Sequence, residues 1–179
     1  MAEIEVRMAN PDDLPLLKEI RLNFDSDYVW KSQMLEDLDS YSISLQYIKL
    51  PKTIHVSFQE PDDARMEQMI MRREVLVAEY DGKVVGYLRL EQDENPNRLM
   101  LKTGGIHEDY RRRGIMKALL NVVQETAMRN HLTQLVVTVQ AKNDPAIRLL
   151  TSQGFQFCGY QEFFFVNLEI ALFYFKNIR

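Results

Sequence analysis

Apolar and polar positions along this 179-residue chain fall into periods that predict a mixed succession of strands and helices. Ile4 and Val6 alternate with Glu5 and Arg7 as in a strand. Asn10-Pro11-Asp12-Asp13 then supplies a cap, a first-turn proline and two acidic residues suited to the positive end of a helix. Leu14, Leu17, Ile20 and Phe24 follow at spacings of three and four, which predicts one buried helical face ending near Asp25. The polar stretch from Ser26 to Ser40 shows no clear period, and its Tyr28, Trp30 and Leu35 suit either a pocket lining or a cap on the core edge. Tyr41, Ile43, Leu45 and Tyr47 alternate with polar residues, as do Ile54, Val56 and Phe58, which predicts two half-buried strands separated by Pro51.

Farther on, Pro61-Asp62-Asp63 opens a short helix with Met66, Met69 and Ile70 on one face. Val75 to Tyr80 and Lys83 to Leu90 flank Asp81-Gly82, a pair that tolerates the positive φ angles of a two-residue hairpin turn. The second half alternates strand and helix: Leu99 to Ile106, Gly114 to about Asn130, Leu135 to Val139, Asp144 to Gln153. Such alternation implies crossover connections and neighbouring parallel strands. Two apolar runs, Phe155 to Val166 and Ile170 to Phe175, predict closing strands.

Composition narrows the class. An apolar fraction of 46% with 27% charged residues fits a globular chain, and no apolar run is long enough to cross a bilayer. With no linker, repeat or low-complexity tract, residues 1–179 are expected to form one domain. Cys158 is alone and the histidines are scattered, so neither an internal disulfide nor a metal site is expected. A net charge of -4 disfavours general nucleic-acid binding. The N-terminal residues show no secretory pattern, so a cytoplasmic location is expected, with neither nucleic acid nor membrane as a partner.

Candidate chemistry centres on Tyr110-Arg111-Arg112-Arg113-Gly114-Ile115-Met116-Lys117, which follows a strand and opens an amphipathic helix. A helix start leaves backbone N–H groups unpaired and carries partial positive charge, so it attracts phosphate. Gly114 lets a ligand approach the main chain, the arginines add charge, and Ile115, Ala118, Leu119, Val122 and Val123 supply the buried face. Here the chain resembles the GNAT superfamily of N-acetyltransferases, whose signature is Arg or Gln, two residues, Gly, one residue, then Gly or Ala. Arg111 and Gly114 match it, whereas Met116 stands where the second small residue is usual. A later block, Asn143-Asp144-Pro145-Ala146-Ile147-Arg148-Leu149-Leu150 with Gly154-Phe155, resembles the family's second conserved block. The final segment, Asn167 to Lys176, is similar to the C-terminus of streptothricin acetyltransferases.

The resemblance implies an α/β fold with a central mixed, mostly antiparallel twisted sheet, a parallel splayed pair within it, and flanking helices. It implies an acetyl-CoA-dependent N-acetyltransferase acting on a primary amine of a small, antibiotic-like molecule, with a homodimer expected by analogy. A coenzyme-binding sensor without chemistry, or an acetyltransferase of protein termini or lysines, is the alternative. Coenzyme contacts are implied for Gly105, Ile106 and His107, for Arg111, Arg112, Arg113, Gly114, Ile115, Met116 and Lys117, and for Asn143, Ala146 and Leu149. The positions at which relatives carry a carboxylate base are Lys102 and Thr103, and the position of their acidic tyrosine is Leu150. Tyr160 and Glu162, on the strand after Gly154-Phe155, are the substitute catalytic candidates.

Overall fold

The computed structural model describes residues 3–58 and 61–178. A seven-stranded sheet forms from β1 (Ile4–Met8), β4 (Val75–Tyr80), β5 (Lys83–Gln92), β6 (Arg98–Ile106), β7 (Gln134–Gln140), β8 (Gln156–Gln161) and β9 (Ala171–Asn177). Its spatial order is β1-β4-β5-β6-β7-β9-β8, antiparallel except for the pair β6–β7. A separate two-stranded ladder joins β2 (Asn23–Asp37) to β3 (Ser40–Ser57). The helices are α1 (Leu14–Leu17), α2 (Asp63–Met71), α3 (Ile115–Arg129) and α4 (Asp144–Ser152).

Both faces of the sheet are buried, because alternate residues of β4 enter different cores. Leu76 and Ala78 join Leu119, Val123, Ile147 and Leu150 of α3 and α4, while Val75 and Val77 join Leu17, Met66, Met69 and Ile70 of α1 and α2. Each fully buried aliphatic side chain of this kind contributes about 1.5–3 kcal/mol. Local chemistry fixes the element ends. Asp62 caps α2 by accepting from the Arg65 amide at 2.8 Å. Asp81 and Gly82, at φ 50° and 79°, make the tight β4–β5 turn.

Three expectations need correction. The first helix does not reach Asp25: α1 ends at Leu17, and Phe24 lies in β2, paired with Val56 and packed on Phe58 at 5.7 Å. Long-range strand pairing outweighs a helical spacing that Leu22 and Phe24 satisfy equally well as alternation. Pro51 does not divide two strands either, since β3 runs through it. The ladder passes from Lys49↔Tyr28 to Ile54↔Ser26, so residues 50–53 bulge opposite Asp27, where proline's missing N–H is harmless. Finally, the run from Phe155 to Val166 is strand only to Gln161. Phe163 turns into the left-handed region at φ 54°, and Phe163 and Val166 are exposed instead of entering a sheet face.

Candidate functional site

The site begins where β6 and β7 part. Their parallel pairing runs from Arg98↔Gln134 to Leu101↔Val137 and then stops, while β7 stays bonded to β9 through Gln140. Opposite this point β6 bulges, because Leu90 pairs with Leu101 and Leu88 with Gly104, leaving Lys102 and Thr103 against Arg89 alone. A bulge bends its strand, so the end of β6 swings away and a gap opens between the parallel strands. Gly105 lies against the segment between α1 and β2, where an added Cβ would meet Leu22 at 2.9 Å and Ile20 at 3.1 Å. The His107 amide donates to Val85 of β5 at 2.8 Å. Strand alternation therefore turns the N–H and C=O of Ile106 the other way, toward the gap.

The turn after β6 is held by its first arginine. Arg111 donates through Nε to the Ile106 carbonyl at 3.1 Å, and through a terminal nitrogen to the Arg21 carbonyl at 3.2 Å and to the Asn23 side chain. This guanidinium ties the turn to the start of β2. Arg113 is drawn aside as well, lying 5.3 Å from the ring of Tyr80 and 5.2 Å from that of Tyr110. Arg112, at φ 64°, and Lys117 are exposed. His107 accepts from the Asp109 amide at 3.4 Å and caps the short turn from Glu108 to Tyr110.

Gly114 is the hinge of this arrangement. It caps α3 at φ 81° without any side-chain bond, and an added Cβ would meet nothing within 4 Å. The first intrahelical bond is donated by Ala118 to the Gly114 carbonyl at 3.0 Å, so the amides of Ile115, Met116 and Lys117 lie ahead of it. Ile115 is buried in the core. Met116 turns its methyl toward Gly104 and the sheet, which clears the main chain that a small residue would otherwise leave bare. Together these features make an open, cationic nest of donors at the wide end of the gap.

Across the gap, Asn143 caps α4, its oxygen accepting from the Ala146 amide at 3.2 Å. The cap is thus Asn143, and Asp144 occupies the first helical position. Asp144 instead accepts from the Tyr47 hydroxyl and from Arg148 Nε, both at 2.7 Å, and Arg148 also donates to the Tyr47 oxygen at 2.6 Å. Burial pushes the Tyr47 hydroxyl above its ordinary value, and the bond to Asp144 adds to this. Tyr28 stacks on Tyr47 at 4.6 Å, so this cluster latches the β2–β3 hairpin to α4. Ala146 and Leu149 pack at the edge of the core. Gln140, 2% exposed at the splayed end of β7, has a side-chain oxygen without a partner.

The substitute catalytic candidates lie apart from this nest. Tyr160 pairs with Leu172 of β9, which pairs with Val139 of β7, so the Tyr160 backbone stands two strand spacings, roughly 10 Å, from the gap wall. It lines a cavity of about 450 Å³ together with Trp30, Leu45 and Leu172. Glu162 is exposed and accepts from Ser32 Oγ at 2.8 Å. Lys102 lies 3.6 Å from Glu91, and Leu150, an aliphatic side chain with no proton to exchange, is buried in the core. Sequence periodicity missed the hairpin's contribution. The spacing of four between Asp144 and Arg148 was its one visible sign, since Tyr47 lies about a hundred residues earlier.

Among the described residues, no helix is long and apolar enough to cross a membrane, and no cluster of three or more His, Cys, Asp or Glu could hold a metal ion. Two curated relatives, the N-acetylaspartate synthetases of Xenopus tropicalis and Danio rerio, are 37% and 34% identical to this chain over 86 residues. That match covers 48% of this chain and only about a third, 32% and 30%, of theirs. The fold is shared with a nourseothricin acetyltransferase at a TM-score of 0.81 and 21% identity, covering 98% of this chain and 99% of that one. It is shared as closely with a provisionally assigned streptothricin acetyltransferase from Bacillus anthracis, solved with acetyl coenzyme A, at a TM-score of 0.80, 17% identity and the same coverage. The sequence profile of the acetyltransferase (GNAT) family matches residues 41–155, a span that takes in the splayed strands, the donor nest and α4, and the chain belongs to that family of acyltransferases.

Proposed function

We propose that residues 1–179 form one acetyltransferase domain that moves an acetyl group from acetyl-CoA to the primary amine of a small molecule. The observation that carries this reading is the set of free amides at Ile115, Met116 and Lys117, opening beside the splayed end of β6. Gly114 leaves them uncovered, which suits the pyrophosphate of the coenzyme. In this reading Arg112 and Lys117 add charge, and the Asn143 side-chain NH2, left out of its helix cap, faces the pantetheine arm with Ala146 and Leu149. The unpartnered Gln140 oxygen is available to an amide N–H of the same arm.

The bound donor supplies an activated thioester. The protein must hold the amine against it, stabilise the oxyanion and accept a proton. The Ile106 N–H, turned toward the gap, is the assigned oxyanion donor. Glu162, exposed beside Ser32, is the assigned proton acceptor, and Tyr160 the group that can return a proton to the departing thiolate. Because both stand away from the gap, orientation of amine and thioester is the main contribution, on the order of 7–11 kcal/mol in favourable cases. Calorimetry with acetyl-CoA and thiol release across an amine panel test this. Binding with amine-dependent thiol release is expected, and absence of binding would end the reading.

One observation favours a second reading, a coenzyme-binding module without chemistry: Leu150 is sealed in the core and Lys102 lies beside Glu91. Saturable, amine-dependent thiol release by the unaltered protein rules it out.

The bonds of Arg111 lead to a further expectation. Arg111→Ala should weaken acetyl-CoA binding about tenfold, roughly the net worth of a single hydrogen bond to a charged group. The salt dependence of binding should stay as in the parent, since this guanidinium faces backbone and Asn23. Arg112→Ala should instead flatten that salt dependence. Titrations at low and high salt distinguish a charge that meets the ligand from one that shapes the turn.

A further inference from the structure

The cavity beneath the β2–β3 hairpin is lined by none of the residues assigned to the coenzyme. Trp30 and Leu45 of the hairpin, Phe157 and Tyr160 of β8, and Leu172 and Tyr174 of β9 give it carbon-rich walls, with no lysine or arginine among its lining residues. Its floor adjoins the coenzyme gap, because Leu172 is the register partner of Val139 on β7, one strand spacing of about 5 Å away. Its roof is anchored at the same place: the Trp30 amide donates to the Ala141 carbonyl at 3.0 Å, two residues before Asn143. The indole N–H of Trp30 is closed off from this space, so the ring meets the cavity through its carbon surface.

We infer that this cavity receives the apolar body of the acceptor amine, with the Trp30 ring as one of its walls. The inference rests on the acetyltransferase reading above and sharpens its substrate class. A volume of about 450 Å³ exceeds what an acetyl group needs and suits an aryl or branched alkyl substituent. Polycationic amines are disfavoured, because no aspartate or glutamate is among the lining residues.

The chain contains one tryptophan and one cysteine, Trp30 and Cys158, and both line this cavity, so each reports its occupancy without any turnover. Phenylalaninamide and glycinamide, which share the amine and the amide oxygen, serve as probes. Phenylalaninamide is expected to shift Trp30 emission saturably and to slow alkylation of Cys158 by iodoacetamide at least threefold, with glycinamide doing neither. Trp30→Phe, whose smaller ring covers less of the wall, should weaken that protection several-fold, read by Cys158 alkylation, while leaving the calorimetric affinity for acetyl-CoA unchanged. Equal responses to the two amides, or an unchanged Trp30 signal in protein that still binds acetyl-CoA, would overturn the inference. A response to octanoyl-CoA but not to phenylalaninamide would also overturn it, by assigning the space to the acyl chain. Failure of acetyl-CoA to bind would strike the coenzyme reading instead, and the emission and alkylation readouts would still decide the cavity.

Discussion

Gly114→Asp is expected to lower acetyl-CoA affinity by at least a hundredfold. Two effects add. Gly114 sits at φ 81°, where a side chain costs about 1–2 kcal/mol in the left-handed region. The new carboxylate would also stand beside the amides proposed to hold a diphosphate, and like charges about 4 Å apart repel by up to ~4 kcal/mol at an effective dielectric of 20. Crowding plays no part, since nothing lies within 4 Å of the added Cβ. Gly114→Asn therefore separates the terms, because asparagine tolerates this backbone and carries no charge. Asn should cost a few-fold in affinity and Asp far more, with the difference shrinking as salt rises. If Asn and Asp weaken binding equally, or neither does, the phosphate does not sit at Gly114. Equal melting temperatures for Asn and Asp would show that their difference in affinity belongs to the ligand site.

Asp13→Ala should destabilise the protein by about 2–3 kcal/mol, below the range of about 3–5 kcal/mol for breaking a fully buried pair because Arg7 remains partly solvated. Asp13 is 4% exposed and accepts from both terminal nitrogens of Arg7, at 2.7 and 2.8 Å, and from the Asn10 amide at 2.8 Å. Arg7 also bonds Glu79 of β4 at 2.7 Å through Nε, so the cluster pins the turn before α1 to the sheet. Its removal should lower the melting temperature by roughly 5–10 °C for a chain of this size. The Arg7 guanidinium holds the Asp13 carboxyl below its ordinary 3.8, and the Asn10 amide adds to this. A carboxylate whose folded value is depressed gives stability that is complete above the unfolded value and disappears as pH falls through the folded one. The gap between parent and Asp13→Asn in urea denaturation should accordingly stay flat from pH 7 to about 5 and narrow below about pH 4. A gap that widens on acidification would mean that Asp13 is not the titrating partner.

Residues 110–154 were legible because their signals are local. The fold reproduces a glycine at the start of α3, an apolar face from Ile115 to Val123, and the Asn143 block at the start of α4. The hairpin from Asn23 to Ser57 was not legible in the same way. Phe24 fits a helical and an alternating pattern equally, Pro51 resembles a strand end, and Ser26 to Ser40 carries too few apolar positions for a period to emerge.

The sequence by itself determined the family, the glycine-led start of α3 and its helix, and the Asp81–Gly82 turn. Each depends on caps, glycine backbone freedom or apolar spacing within a few residues. Tertiary structure alone decided that Arg111 grips Asn23, 88 residues away, that Tyr47 latches the hairpin to Asp144 across 97 residues, and that Ser32 meets Glu162 across 130. Side-chain aim over such separations follows from which strands pair and where the sheet splays. Those outcomes depend on the whole set of competing long-range contacts, to which each residue type contributes only a weak preference.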